Sequence, residues 1–164
     1  MSKVGYGELQ SFSEQQLVDC SSSYGNMGCA GGLVSNAFRY VHKQGIVHED
    51  EYLYTGKTQD CKQNSGPFKV SGYTVITNCI DLANALQKMP ISVAVDAANW
   101  ANYKGGIFNN CGTRLSQGVT LTGMTDSYWR VKNSWGDSWG EGGYIRLSRG
   151  NTCGICSMGI LPNK

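Results

Sequence analysis

Apolar positions at helical spacing predict two helices near the start of the chain. Ser13 and Gln16 form a capping-box pattern before a helix from Glu14 to about Cys20, so both side chains are expected to bond first-turn amides. A second helix is predicted to end near Gln44, with Gly45 as its cap. One face of that helix is apolar and carries Leu33, Val34, Ala37, Phe38 and Val41.

The apolar pattern changes to a two-residue period in the second half of the chain. Ile91, Val93 and Val95 alternate with small or polar residues, which is typical of a half-buried strand. A short helix from Asp81 to Met89 is predicted to stop at Pro90. Further strands are predicted at 72–77, 117–124, 128–133 and 143–148.

Helices followed by strands indicate an α+β protein with segregated lobes. The order of the elements predicts a helical lobe at residues 1–71 and a strand-rich lobe at residues 72–164. Residues 46–72 have no clear period and are predicted to be irregular.

Composition narrows the classes of protein that fit. Charged residues make up 16% of the chain, below the roughly 25% of an average soluble domain. The 14 basic and 12 acidic residues leave a net charge of +2, so nothing indicates a nucleic-acid partner. The apolar runs are too short for a membrane-spanning helix, and no membrane partner is expected.

Seven cysteines favour a disulfide framework formed in an oxidising compartment. Residues 1–7 lack the apolar run of a signal peptide, so either a leader has been removed or the chain is part of something longer. Because seven is odd, at least one thiol is expected to lack an intrachain partner.

Candidate catalytic and metal-binding groups are few. His42 and His48 are interpreted as solvated surface residues. The Cys153-Gly-Ile-Cys156 pair fits a redox pair or half a zinc site poorly, and structural half-cystines are the favoured interpretation. No cofactor and no metal are therefore predicted.

Several motifs occur in the same order as in a known family. The most informative surrounds Asn133 and reads Lys-Asn-Ser-Trp-Gly, followed by Trp139-Gly-Glu. Others are Ser13-Glu-Gln-Gln-Leu-Val-Asp-Cys20, Gly28-Cys-Ala-Gly-Gly32, Ile91-Ser-Val-Ala-Val-Asp-Ala, Gly106-Ile-Phe and Cys153-Gly-Ile. From about residue 9 onward the sequence closely resembles the papain-like cysteine peptidases.

The resemblance implies an incomplete papain-like two-lobe fold, with a partial helical left lobe and an antiparallel, barrel-like right lobe. In that family a cysteine thiolate attacks the scissile carbonyl while a histidine holds the proton. Asn133 matches the asparagine that orients the histidine, Trp135 matches the tryptophan that covers their hydrogen bond, and Trp139 matches a residue on the leaving-group side.

Two departures from the family pattern predict an inactive protein. Gln117 occupies the position of the catalytic histidine, in the segment Leu115-Ser-Gln-Gly-Val119. A primary amide does not titrate near neutral pH, although it retains the capacity to bond Asn133. The nucleophilic cysteine belongs upstream of the Ser-Glu-Gln helix, where this sequence has twelve residues and no cysteine.

The resemblance also implies the disulfide pairs. Cys20 is expected to pair with Cys61, and Cys111 with Cys153. Cys79 and Cys156 then remain as a third, less secure pair. Cys29 is expected to be unpaired, because its partner in the family lies just before the nucleophile.

Substrate-groove positions follow from the resemblance as well. Gly31 and Gly32 match glycines that pair with an extended peptide backbone, and the positions lining the main specificity pocket are Leu33, Ala94, Leu115 and Met158. Ordinary core and loop roles explain these residues equally well.

The favoured hypothesis is a truncated, inactive relative with a structural or protein-interaction role, in which bound peptide is a further candidate ligand. An active cysteine endopeptidase whose first segment is missing from this chain is the alternative, and a degenerate fragment is the third. A missing core helix leaves apolar residues near Leu17, Leu33, Ala37 and Phe38 uncovered, at roughly 1.5–3 kcal/mol each. A protein partner is therefore predicted to cover that face.

Limited proteolysis tests the predicted difference between the lobes. We expect residues 1–70 to be cut before residues 72–160, because the first lobe lacks part of its core. Peptide mapping of a digestion time course, after reduction of the disulfides, measures the order of cleavage. Equal resistance of both regions would contradict the prediction.

Overall fold

Helices occupy most of the regular structure early in the chain, and strands occupy most of the rest. The computed structural model describes residues 9–163. Its helices are α1 (Glu14–Cys20), α2 (Val34–Gln44) and α3 (Cys79–Leu86), with short 3-10 helices at Ser22–Tyr24, Gly28–Ala30 and Thr152–Gly154. The strands are β1 (Gly72–Ile76), β2 (Ile91–Val95), β3 (Ile107–Phe108), β4 (Gln117–Met124), β5 (Tyr128–Lys132), β6 (Tyr144–Ser148) and β7 (Gly159–Asn163).

The chain divides into two compact units. The first comprises the described residues up to Thr74 together with Pro162 and Asn163, and the second is Val75–Leu161. The division lies shortly after the expected boundary at residue 71. The expected boundary did not include Pro162 and Asn163 in the first unit. The observed elements are those of an α+β fold.

Helix α1 begins as predicted but uses its glutamine differently. The Ser13 hydroxyl accepts a bond from the Gln16 amide at 3.0 Å, as in a capping box. The Gln16 side chain does not return to this cap. Its Nε2 donates to the Tyr40 hydroxyl at 2.9 Å, and its Oε1 accepts the Val47 amide at 2.9 Å. The capping-box prediction for Gln16 was wrong because two distant buried groups need its amide.

Other polar side chains of α1 hold the irregular segment that follows α2. Gln15 donates to the Lys57 carbonyl at 2.7 Å and accepts the Thr55 amide at 2.8 Å. Asp19 accepts the Gln59 amide and the Tyr52 hydroxyl, each at 2.8 Å. These side chains satisfy backbone groups that have no strand or helix partner.

A small buried cluster accompanies this polar network. It consists of Cys20, Tyr40, Val47 and Tyr52, against which Leu17, Tyr24 and Val41 pack. Burial raises the pKa of both buried tyrosines above the usual value near 10. Leu17 therefore has core neighbours within the first unit and remains half-buried.

The apolar face of α2 is only partly buried. Tyr40 is the one fully buried residue of this helix, while Ala37 and Phe38 are half-buried. Leu33, which caps the helix, is 54% exposed, and Met27 nearby in sequence is 64% exposed. Within the described residues this face lacks full cover.

The two histidines are not solvated in the way the sequence suggested. The His42 Nδ1 lies 2.8 Å from the Val70 carbonyl. The His48 ring stacks on Phe12 and meets Phe68 edge-on, with ring centroids 5.7 and 4.6 Å away. Both histidines are half-buried structural residues of the first unit.

The second unit is built on a sheet with the strand order β1-β7-β2-β4-β5-β6-β3. Ile91, Val93 and Val95 of β2 are fully buried, as their alternation predicted. Most pairings are antiparallel, but β3 pairs parallel with β6. The sheet is thus mostly antiparallel, as expected, and the sequence showed no sign of the β3–β6 pair because β3 has only two residues and no detectable period.

Two element predictions require correction. Helix α3 begins at Cys79 rather than Asp81, because Asn78 caps it by accepting the Asp81 amide at 2.9 Å. Strand β7 was missed because Pro162 argues against a strand. Its ladder with β2 involves only Gly159 and Ile160, so the proline lies beyond that ladder.

No helix among the described residues is long and apolar enough to cross a membrane.

Replacing Gln16 tests the polar network of the first unit. Gln16→Ala removes the partners of the Tyr40 hydroxyl and the Val47 amide, so we expect the unit to lose about 2–4 kcal/mol of stability. Hydrogen exchange at the Val47 amide, followed by mass spectrometry, measures the opening. Gln87→Ala, at an exposed position, is the matched control. Unchanged protection in Gln16→Ala would refute the assigned role.

Candidate active site

The segment between β5 and β6 carries the asparagine singled out by the sequence. Asn133 directly follows β5 and is only 7% exposed. Its amide donates to the Gly143 carbonyl at 3.0 Å, which closes the segment at its base. Its side-chain Oδ1 accepts the Ser134 amide at 2.8 Å, and its Nδ2 is buried without a hydrogen-bond partner.

Gln117 begins β4 and lies opposite Val95 of β2. Its side chain has the same strand parity as the buried Val119 and Leu121. No hydrogen bond joins Gln117 to Asn133 in the described part of the chain, where Asn133 Oδ1 is taken by its neighbour. The capacity of this glutamine to replace the histidine's bond is therefore unused.

Three tryptophans pack together in the second unit. The Trp135 and Trp139 rings meet edge-on at 5.1 Å, and Trp135 remains 41% exposed. Trp139 donates from Nε1 to the Trp100 carbonyl at 3.2 Å, and their rings stack at 6.1 Å. The sequence analysis missed Trp100, which is fully buried with an unpartnered Nε1. The sequence feature that could have indicated Trp100 is its aromatic ring shortly after the buried strand β2.

An ion pair fixes the chain just beyond Trp139. Glu141 binds the Arg146 guanidinium through three hydrogen bonds, at 2.6, 2.9 and 3.2 Å, and accepts the Gly106 amide at 3.0 Å. Arg146 holds the pKa of Glu141 below its ordinary value. Tyr103 completes the arrangement, since its hydroxyl donates to the Gly106 carbonyl at 2.6 Å. The sequence motif contains Glu141 but did not indicate its partners, because residues 103 and 106 are far from it in the chain.

A glycine is required beside this ion pair. Gly140 has a φ of +58°, and a Cβ at that position would lie 2.6 Å from the Tyr144 carbonyl oxygen. The Trp139-Gly-Glu motif therefore has a steric reason for its central residue.

The groove positions of the first unit are exposed. Gly31, Gly32 and Leu33 follow one another at the surface. A Cβ on Gly32 would lie 2.4 Å from Asn26 Oδ1, the atom that accepts the Leu33 amide. Local packing of this loop is thus sufficient to explain the glycine.

The groove positions of the second unit are half-buried. Ala94 lies on β2 and donates its amide to the Met158 carbonyl at 3.0 Å, so these two positions are adjacent. Leu115 comes two residues before β4, and its Cδ2 lies 2.8 Å from where a Cβ on Gly154 would be. All three side chains have the apolar character expected of pocket residues.

The cysteines form the three pairs that the resemblance implied. The disulfides are Cys20–Cys61, Cys79–Cys156 and Cys111–Cys153. Cys29 is free and exposed, and its amide donates to the Thr58 hydroxyl at 2.9 Å. Residues 9–163 contain no group of three or more potential metal ligands.

Titration of Glu141 gives a test of the ion pair. Because its pKa is lowered by Arg146, the pair contributes stability that is complete above a pH near 4.5 and is lost as the pH falls through the lower folded-state pKa. Glu141→Gln should lower the free energy of unfolding by about 1 kcal/mol at neutral pH and by progressively less in that acidic range. Urea unfolding at several pH values measures this difference between the variant and the unchanged protein. Asp137→Asn is the control, and a pH-independent difference for Glu141→Gln would contradict the assignment.

Comparison with known proteins identifies the relatives of this arrangement. The chain is 46% identical to cathepsin L 2 of Paramecium tetraurelia over 153 residues, which covers 92% of this chain and 49% of that protein. It is 44% identical to a cathepsin L-like proteinase of Fasciola hepatica, covering 93% and 51% of the two chains. The chain thus spans about half the length of the curated relatives it matches.

Solved structures and a family model agree with this result. The Carica candamarcensis cysteine protease CMS1MS2, in complex with E-64, superposes with a TM-score of 0.92 at 37% identity, over 99% of this chain and 81% of that one. Bromelain from Ananas comosus, also with the E64 inhibitor, gives 0.88 at 37% identity, over 98% and 81%. The model of the papain family cysteine proteases matches residues 1–163. The chain belongs to the papain family of cysteine proteases.

Proposed function

We propose that this chain is a catalytically inactive member of the papain family with a structural or protein-interaction role. The observation that carries the proposal is Gln117, which stands where the family has its catalytic histidine. Gln117 lies well inside the chain, so its effect on catalysis does not depend on where the chain begins.

The chemistry of the amide excludes the histidine's role. Thiol peptidases need a group that takes the proton of the cysteine and later donates it to the leaving amine. The Gln117 amide neither accepts nor releases a proton near neutral pH. An imidazole N–H would donate to the side-chain oxygen of the asparagine, and Asn133 Oδ1 instead accepts the Ser134 amide.

Neither histidine of the chain is a ready substitute. His42 bonds the Val70 carbonyl, and His48 is packed between Phe12 and Phe68. Using either as a base requires breaking these contacts in the first unit.

The exposed apolar residues of the first unit support an interaction role. Leu33 and Met27 are more than half exposed, and the α2 face behind them is only partly buried. A protein partner that covers this face would recover apolar burial of roughly 1.5–3 kcal/mol per large side chain.

The alternative is an active cysteine endopeptidase whose N-terminal segment is missing from this chain. Two observations favour it, namely the coverage of about half of each curated relative and the free thiol of Cys29. Gln117 weighs against it, because an added segment would supply a nucleophile but would leave this position unchanged.

Peptide hydrolysis tests the proposal. We expect no turnover of a fluorogenic peptide with an apolar residue second from the scissile bond, either by this chain or by any longer form isolated from the native source. The Gln117→His variant of this chain is also expected to be inactive, since residues 1–164 contain no cysteine at the family's nucleophile position.

Intact mass under non-reducing conditions distinguishes the two hypotheses. If the native protein is longer and hydrolyses the peptide with Gln117 in place, and a thiol-directed epoxide blocks that turnover, the endopeptidase hypothesis is correct. If a longer form is inactive and gains activity only as Gln117→His, the glutamine is the cause of inactivity and the proposal stands.

A further inference from the structure

The outer face of strands β5 and β6 carries two cations that have no anionic partner in the described part of the chain. Arg130 and Lys132 are two residues apart on β5, and both are exposed. Their parity is opposite to that of the buried Trp129 and Val131, so they point away from the core. Asn133 has the core parity, which separates this face from the candidate active site.

The register of the sheet places like charges opposite each other. Arg130 of β5 pairs directly with Arg146 of β6. Directly opposed residues have Cβ atoms about 4.5–5.5 Å apart, and like charges at this distance destabilise a sheet. The Glu141 carboxylate on Arg146 offsets part of that repulsion, and an anion bound beside Arg130 would offset more of it.

Each of the two guanidinium groups stacks on a tyrosine ring of the other strand. Arg130 lies 4.0 Å above the Tyr144 ring, and Arg146 lies 5.3 Å from the Tyr128 ring. A guanidinium stacked on a ring keeps its N–H groups free at the edge, where they match the geometry of a carboxylate.

The protein itself shows which anion fits one of these arginines. Arg146 is bound by the Glu141 carboxylate through three hydrogen bonds. Among residues 9–163 this is the only ion pair, so Arg130 and Lys132 have no carboxylate at salt-bridge distance. On this face, the charge of Arg146 on β6 is therefore neutralised, and the charges of Arg130 and Lys132 on β5 are not.

We propose that the outer face of β5 and β6 binds an acidic segment of a partner protein, with carboxylates at alternate positions. Residues two apart on a strand are separated by about 7 Å, so an extended segment along β5 would present such carboxylates to Arg130 and Lys132 together. Two free cations and a net charge of +2 are few for a nucleic acid or a sulfated polysaccharide, whose binding relies on many contacts. The inference deepens the proposed interaction role and rests on it.

Fluorescence anisotropy of the full chain, with its disulfides intact, tests the proposal. The probe is a labelled peptide of alternating glutamate and threonine, and its control has glutamine in place of glutamate. We expect the glutamate peptide to bind, to bind more weakly as salt is raised, and to bind the Arg130→Gln/Lys132→Gln variant about fivefold more weakly. Lys88→Gln/Arg114→Gln loses the same charge at exposed positions elsewhere in the unit and should change the affinity less than twofold.

The outcomes separate this inference from the proposed function. Equal affinities of the two double variants, or equal binding of both peptides, would overturn it. Binding of heparin or a DNA duplex without binding of the glutamate peptide would also overturn it. If the double variant does not fold, Lys132→Gln alone provides the comparison, since that side chain makes no hydrogen bond to any of residues 9–163. Peptide hydrolysis would refute only the inactivity of the enzyme.

Discussion

Buried side-chain oxygens that replace missing backbone partners hold together the irregular parts of this protein. A chain with long segments outside helices and strands must still satisfy their amides and carbonyls. In the first unit, Gln15, Gln16 and Asp19 project from one short helix and accept amides of residues 47, 55 and 59. In the second unit, Glu141 accepts the amide of Gly106 while it binds Arg146. The same device thus orders the segment after α2 and the segment that carries the tryptophans.

The framework of the candidate active site needs no titrating group at residue 117. The β5–β6 segment, the tryptophan cluster and the glycine beside Glu141 are explained by packing and hydrogen bonds that do not involve a histidine. Because none of these contacts depends on a charge at residue 117, a neutral amide there is compatible with the fold. Among the described residues, the Asn133 Nδ2 is buried without a hydrogen-bond partner.

Caps and hydrophobic periodicity in the sequence correctly predicted the features of the fold that depend on neighbouring residues. The start of α1, the end of α2 at Gly45 and the buried alternation of β2 follow from caps and periodicity, and all three are observed. The sequence pattern missed β3 because two residues have no period, and it misassigned Gln16 because its partners lie 24 and 31 residues away. Motifs located Asn133 and both nearby tryptophans, whereas the contacts of Trp100 with Trp139 and of Gly106 with Glu141 join segments that are distant in the chain. Whether the groove positions bind anything is a matter of ligand chemistry that neither pattern nor packing determines.

The disulfides give the second unit a covalent topology of its own. Cys79–Cys156 joins two residues with a sequence separation of 77, and both cysteines of Cys111–Cys153 lie inside the loop that it closes. Cys20–Cys61 closes a separate loop in the first unit, so no disulfide links the two units. Residues 79–156 therefore form a ring with one internal bridge. A single break in the backbone of that ring leaves its two pieces joined, so such a nick leaves the molecule in one piece until the disulfides are reduced.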